Sequence, residues 1–182
     1  MGKVTRRVVL GGAVSMAAGA LAGCSSASAA DASSTVFLFN NSASMEPTLV
    51  KDQSVAADLV VPGKYEPRRQ DIVFFHPPAA WREFDVSQLF VSRVIGIPGD
   101  TVYCDGPGAP VVLNGVALKE PYLYKGDSPS TINFRVTVPS GHLWTLDDHR
   151  SIGLDCRYQL HDPNNGAFVP IANVVDVYHP KS

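Results

Sequence analysis

The chain has 182 residues, 45% of them apolar and 18% charged, with a formal net charge of -2. That length holds one domain and a short extra segment, and it is enough to bury a core. No basic stripe points to nucleic acid and no acidic run to a disordered tail, while the three cysteines and five scattered histidines lack zinc-site spacing, so no metal or other cofactor is implied.

Residues 1–23 read as an address rather than as part of the fold. Met1–Arg7 is basic through Lys3, Arg6 and Arg7, and Val8–Gly23 is uncharged and rich in Ala, Gly and Val, an n-region followed by an h-region. Arg6-Arg7 ahead of Val9-Leu10 has the form of a twin-arginine export signal. Leu21-Ala22-Gly23-Cys24 then has the form of a lipobox, in which small residues open the backbone to a processing enzyme and the Cys24 sulfur accepts a lipid. Two other outcomes stay open. Cleavage at Ala27-Ser28-Ala29 would release a soluble protein, and the apolar stretch could be kept as an anchor, for which it is short. Residues 24–35 are rich in Ser and Ala and read as a flexible tether.

The domain spans residues 36–182. Short apolar runs bounded by Pro, Gly, Asn and Asp predict strands at Val36–Phe39, Ser54–Val61, Asp71–Phe75, Leu89–Ile97, Thr101–Cys104, Val111–Leu113, Asn133–Val138, His142–Leu146 and Val174–Tyr178. No segment keeps a 3.6-residue apolar period long enough for a major helix, and Ser151–Cys156 has room for a single turn. The expected class is mostly β, with long hairpins and little helix. The histidines read as surface or turn residues. With Cys24 lipidated, Cys104 and Cys156 would remain as either a disulfide or two buried thiols.

Three separated segments carry chemistry. Ser42-Ala43-Ser44-Met45-Glu46-Pro47-Thr48-Leu49 resembles the S-x-S-M-x-P-T-L box of type I signal peptidases, the serine proteases of family S26. Arg69-Gln70-Asp71-Ile72-Val73-Phe74 is similar to that family's R-G-D-I-V-x-F strand, and Ser92-Arg93-Val94-Ile95-Gly96-Ile97-Pro98-Gly99-Asp100 to its K-R-x-x-G-x-P-G-D box. Asp147-Asp148-His149-Arg150 followed by Asp155-Cys156-Arg157 resembles G-D-N-R followed by D-S-R. The segments occur in the family's order across about residues 36–178.

The resemblance implies roles. Ser44 stands at the nucleophile, and its own N–H with the Ser42 hydroxyl would form the oxyanion hole. Pro47 would help hold Ser44 in a strained, exposed position. Val36–Phe39 and Val55–Val61 would line a groove where an extended preprotein peptide adds as a strand and presents small residues. Asp148, Arg150, Asp155 and Arg157 would brace the site through paired charges.

Three positions around the expected base depart from the pattern together. Ser92 stands where the family has its lysine base, and Arg93 cannot substitute, because guanidinium keeps its proton and neighbouring strand residues face opposite ways. Asp147 replaces a glycine, and Gly153 replaces the serine that bonds the lysine. Loss of the base from a serine protease costs about a million-fold in rate. A proficient enzyme therefore needs another base. Asp147 is the candidate, with its pKa raised by burial, and a simple hydrogen bond to Ser92 or Ser44 is the other role open to it. Two functions follow: a signal peptidase-like serine endopeptidase in the bacterial envelope with its domain outside the cytoplasm, or an inactive relative that holds extended peptides.

Overall fold

Thr35, Phe37 and Phe39 alternate with Val36, Leu38 and Asn40. In the computed structural model, which describes residues 4–7, 35–161 and 166–179, that period of two becomes strand β2 (Thr35–Asn40) with one face buried. The remaining strands are β1 (Val4–Arg7), β3 (Gln53–Leu59), β4 (Ile72–Phe75), β5 (Phe90–Gly96), β6 (Thr101–Asp105), β7 (Val112–Leu113), β8 (Val116–Ala117), β9 (Asn133–Thr137), β10 (His142–Leu146), β11 (Val169–Pro170) and β12 (Val174–Tyr178). They form an eight-stranded sheet in the order β1-β2-β3-β12-β4-β5-β10-β11 and a four-stranded sheet in the order β8-β7-β6-β9. All pairings are antiparallel.

Each of the nine strands expected from the sequence has a counterpart, and the fold is mostly β. Three differences stand out. β8 and β11 are two-residue pairings, too short to leave an apolar pattern. The turn expected at Ser151–Cys156 starts earlier and does not propagate: Ile152 and Gly153 close a single turn on the His149 carbonyl, and Cys156 N–H then donates back to Thr145 on β10. The helical turns are instead 3-10 and lie at Tyr158–His161 and Ile171–Asn173.

The third difference is β1. Residues 4–7 belong to the segment expected to lie outside the fold, yet they pair with β2 in the register Val4↔Asn40 to Arg7↔Phe37. β2 therefore has β3 on one edge and the chain's own N-terminal segment on the other. Cys24, the lipobox and residues 24–34 of the tether lie outside the described residues.

Two apolar clusters hold the domain. One packs Val36 and Leu38 of β2 with Val55, Ile72, Phe74, Val91, Met45 and Leu49. The other gathers Val73, Phe75, Trp81, Val94, Val102, Trp144 and Val169 between the two sheets. Gly96 is required where they meet, since a Cβ there would lie 2.8 Å from methyls of Val102 and Val138. β5 is buried along nearly its whole length, so both of its faces pack against protein.

Candidate active site

The turn bearing Ser44 leaves the end of β2 and is fixed from below. Met45 and Leu49 are essentially inaccessible and enter the core under β2 and β3, so the apolar letters of the motif act as anchors. Asn40, fully buried, accepts from Ser42 N–H at 3.1 Å and donates to the Leu49 and Val50 carbonyls, tying both ends of the turn together. Ser44 and Ser42 stay half-exposed. The Glu46–Pro47 peptide is cis, and Ser44 is not among the residues with positive φ.

Ser44 N–H donates to Ser42 Oγ at 3.2 Å. The two groups expected to form an oxyanion hole are thus side by side and joined. Because Ser42 Oγ accepts in this bond, its own proton remains free to donate outward. A developing oxyanion would draw on that proton and on the Ser44 N–H together.

Ser92 lies on β5 with 2% of its surface exposed, and Asp147 at the end of β10 with 4%. The Ser92 hydroxyl is close enough to the Asp147 carboxyl to favour its charged form, but in a geometry too poor for a formed hydrogen bond. Burial, and next the neighbouring Asp155 carboxylate, push the Asp147 pKa up to about 8. Asp147 therefore holds its proton through most of the neutral range. A Cβ on Gly153 would lie 2.6 Å from Asp147 Cβ and 2.9 Å from its Oδ2. The Asp147 side chain occupies the volume that a side chain at 153 would need, which makes these two departures one exchange. Among the described residues no hydrogen bond joins the Ser44 hydroxyl to Ser92 or Asp147.

Arg93, next to Ser92, faces the other way. It donates to both Asp148 carboxylate oxygens at 2.7 and 2.6 Å, to the Gln70 carbonyl and to Thr48 Oγ1, and it lies 3.9 Å over the Tyr122 ring. Thr48 also donates to Asp148, so one buried pair links β5, the Ser44 turn and the end of β10. Arg150 donates to the Asp147 and Pro129 carbonyls and to Glu120. Asp155 accepts from Asp147 N–H and from Arg157, and Arg157 continues to the Arg150 carbonyl. Every one of these groups is committed to holding a loop.

A residue passed over in the sequence joins the site. His149 is half-buried, its backbone N–H donates to the Ser44 carbonyl at 2.9 Å, and its ring stacks on Tyr124 with centroids 3.7 Å apart. Its spacing to other histidines carried no signal, and the one mark it left was standing where the G-D-N-R pattern has asparagine. Cys104 and Cys156 are both free and buried, which closes the disulfide alternative. Cys156 Sγ accepts from Thr145 N–H, and Cys104 lies against the Gly106 and Ala109 carbonyls.

The sequence profile of the family "Signal peptidase, peptidase S26" matches residues 18–179. Among curated relatives, a probable signal peptidase I of Mycobacterium leprae is 28% identical over 74% of this chain and 63% of its own length. A signal peptidase I of Leptolyngbya laminosa is 31% identical over 74% of this chain and 62% of its own. Signal peptidase I U of Bacillus subtilis is 30% identical over 76% and 73%. The chain thus spans less than two thirds of the length of the first two. A crystal structure of a signal peptidase I from Enterococcus faecalis has 27% identity and a TM-score of 0.46, over 63% of this chain and 98% of that one.

Proposed function

The chain belongs to the signal peptidase family, peptidase S26, and on that premise we propose that it is a serine endopeptidase that cuts exported preproteins after small residues, with Ser44 as nucleophile. The observation that carries this reading is the joined Ser42 and Ser44 pair, half-exposed on a turn anchored by Met45 and Leu49 directly after β2. Asp147 is the proposed base in place of lysine. With a pKa near 8, Asp147 would act as base through its deprotonated fraction, which grows as pH rises towards 8, and catalytic hydrogen bonds often close only around substrate. Cys24, lipidated, would hold the domain on the outer face of the membrane; among the described residues no helix is long and apolar enough to cross one.

A second reading has its own support. The Asp147 carboxyl faces Ser92, and an unassisted oxyanion hole leaves only about 10³–10⁴-fold catalysis over water. The chain would then hold extended peptides without cutting them.

The test uses the full chain in detergent and a preprotein with an A-x-A site. The parent is expected to cleave it, Ser44→Ala to lose cleavage, and Asp147→Asn to lower kcat by about a hundredfold or more. A silent parent beside an active Ser92→Lys/Asp147→Gly/Gly153→Ser variant overturns the enzyme reading in favour of peptide holding. Intact mass of the same membrane-extracted protein, without a diacylglycerol adduct on Cys24, rejects the lipid anchor.

A further inference from the structure

We infer that His149 is a positioning residue for the Ser44 nucleophile, acting as a clamp on the two carbonyls that flank it; this rests on the reading of Ser44 as the reacting group. Its backbone N–H holds the Ser44 carbonyl at 2.9 Å, and its ring Nδ1 lies 3.3 Å from the Ala43 carbonyl oxygen. A carbonyl oxygen only accepts, so the proton of this contact sits on Nδ1. One residue therefore fixes the peptide planes on both sides of the Ser44 Cα, and with them the direction of the Ser44 N–H and of its side chain.

The clamp is itself held. Tyr124 stacks on the imidazole at 3.7 Å and 11° between planes, and Tyr124 N–H donates to the Asp148 carbonyl at 3.0 Å. Asp148 in turn grips Arg93 and Thr48, so His149 projects from the most heavily bonded turn in the site. The Ala43 carbonyl also accepts from Glu46 N–H at 3.1 Å, so the ring bond adds to an existing turn rather than replacing it. The expected effect is on orientation. A displacement of about 1 Å in a reacting group can cost a hundredfold in rate while leaving binding intact.

Asparagine carries an amide N–H at the same reach as Nδ1, whereas leucine fills the space without a donor. With the full chain and an A-x-A peptide, His149→Leu is expected to lower kcat by roughly ten- to a hundredfold with KM within about twofold. His149→Asn is expected to stay within about threefold of the parent. Hydrogen exchange across residues 42–49 should quicken in His149→Leu and not in His149→Asn. An Asn variant as slow as the Leu variant, with exchange protected, overturns the clamp, because the ring's own chemistry would then be what matters. Equal exchange in all three proteins also overturns it. A parent that cleaves nothing removes the reading of Ser44 as the reacting group, and the exchange comparison still decides whether the clamp exists.

Discussion

Asp147 and Gly153 are intelligible only together. With Asp147 in place, a side chain at 153 meets its Cβ at 2.6 Å, and Asp147 is the buried end of the contact and cannot swing into solvent. Gly153→Ser is therefore expected to destabilise the protein by about 1–3 kcal/mol, the range for overpacking a filled site. Asp147→Gly/Gly153→Ser should recover most of that loss, and urea unfolding of the three variants measures it. The order of change matters: Asp147→Gly first opens space, whereas Gly153→Ser first creates the clash. Protonation bears on the same carboxyl. Its folded pKa, about 8, lies above its ordinary value of 3.8, so its contribution to stability is full below the ordinary range and fades as pH rises towards 8. Asp147→Asn removes that part of the decline. The residue types at 92, 147 and 153 showed that the site had changed, but the steric link between 147 and 153 exists only in the folded chain. His149 gave less warning still, because its role comes from two backbone carbonyls, groups that every residue possesses.

Among the elements, β5 does the joining. Its consecutive residues Ser92 and Arg93 serve two different compartments, one facing Asp147 and the other Asp148. Arg93 is 3% exposed and Asp148 fully buried, so removing one charge leaves the other stranded. Asp148→Ala is expected to cost about 3–5 kcal/mol and to loosen the Ser44 turn through Thr48. Chemical denaturation with hydrogen exchange at residues 42–49 checks both parts, and unchanged exchange would separate the pair from the turn. The strands were legible because Val-, Ile- and Phe-rich runs between Pro and Gly have few other solutions. What escaped was pairing without pattern: two-residue β8 and β11, and the return of residues 152–156 onto β10. Gln70 is a further case. It takes a φ of 77° where the family's motif has glycine, and its carbonyl goes to Arg93.

For the molecule as a whole, the mostly-β class and the family followed from the order of the motifs along the chain, while the path of the N-terminus did not. A basic segment before an apolar run reads as an address, and nothing in Val4-Thr5-Arg6-Arg7 marks it as a partner for β2. Yet β2 carries the outward-facing Phe37 and Phe39, 49% and 42% exposed, along the strand where an extended peptide was expected to add. A covalently joined segment meets that edge at an effective concentration on the order of millimolar. If a preprotein peptide adds at this edge, as the proposed function has it, it would compete with residues 4–7 for the same row of backbone groups. Thr5→Pro, which removes a donor from β1, should tighten binding of an A-x-A peptide in a titration of the Ser44→Ala protein, and equal affinity would mean the edge is not shared. On that reading, β1 would be the first occupant of the edge that a substrate needs.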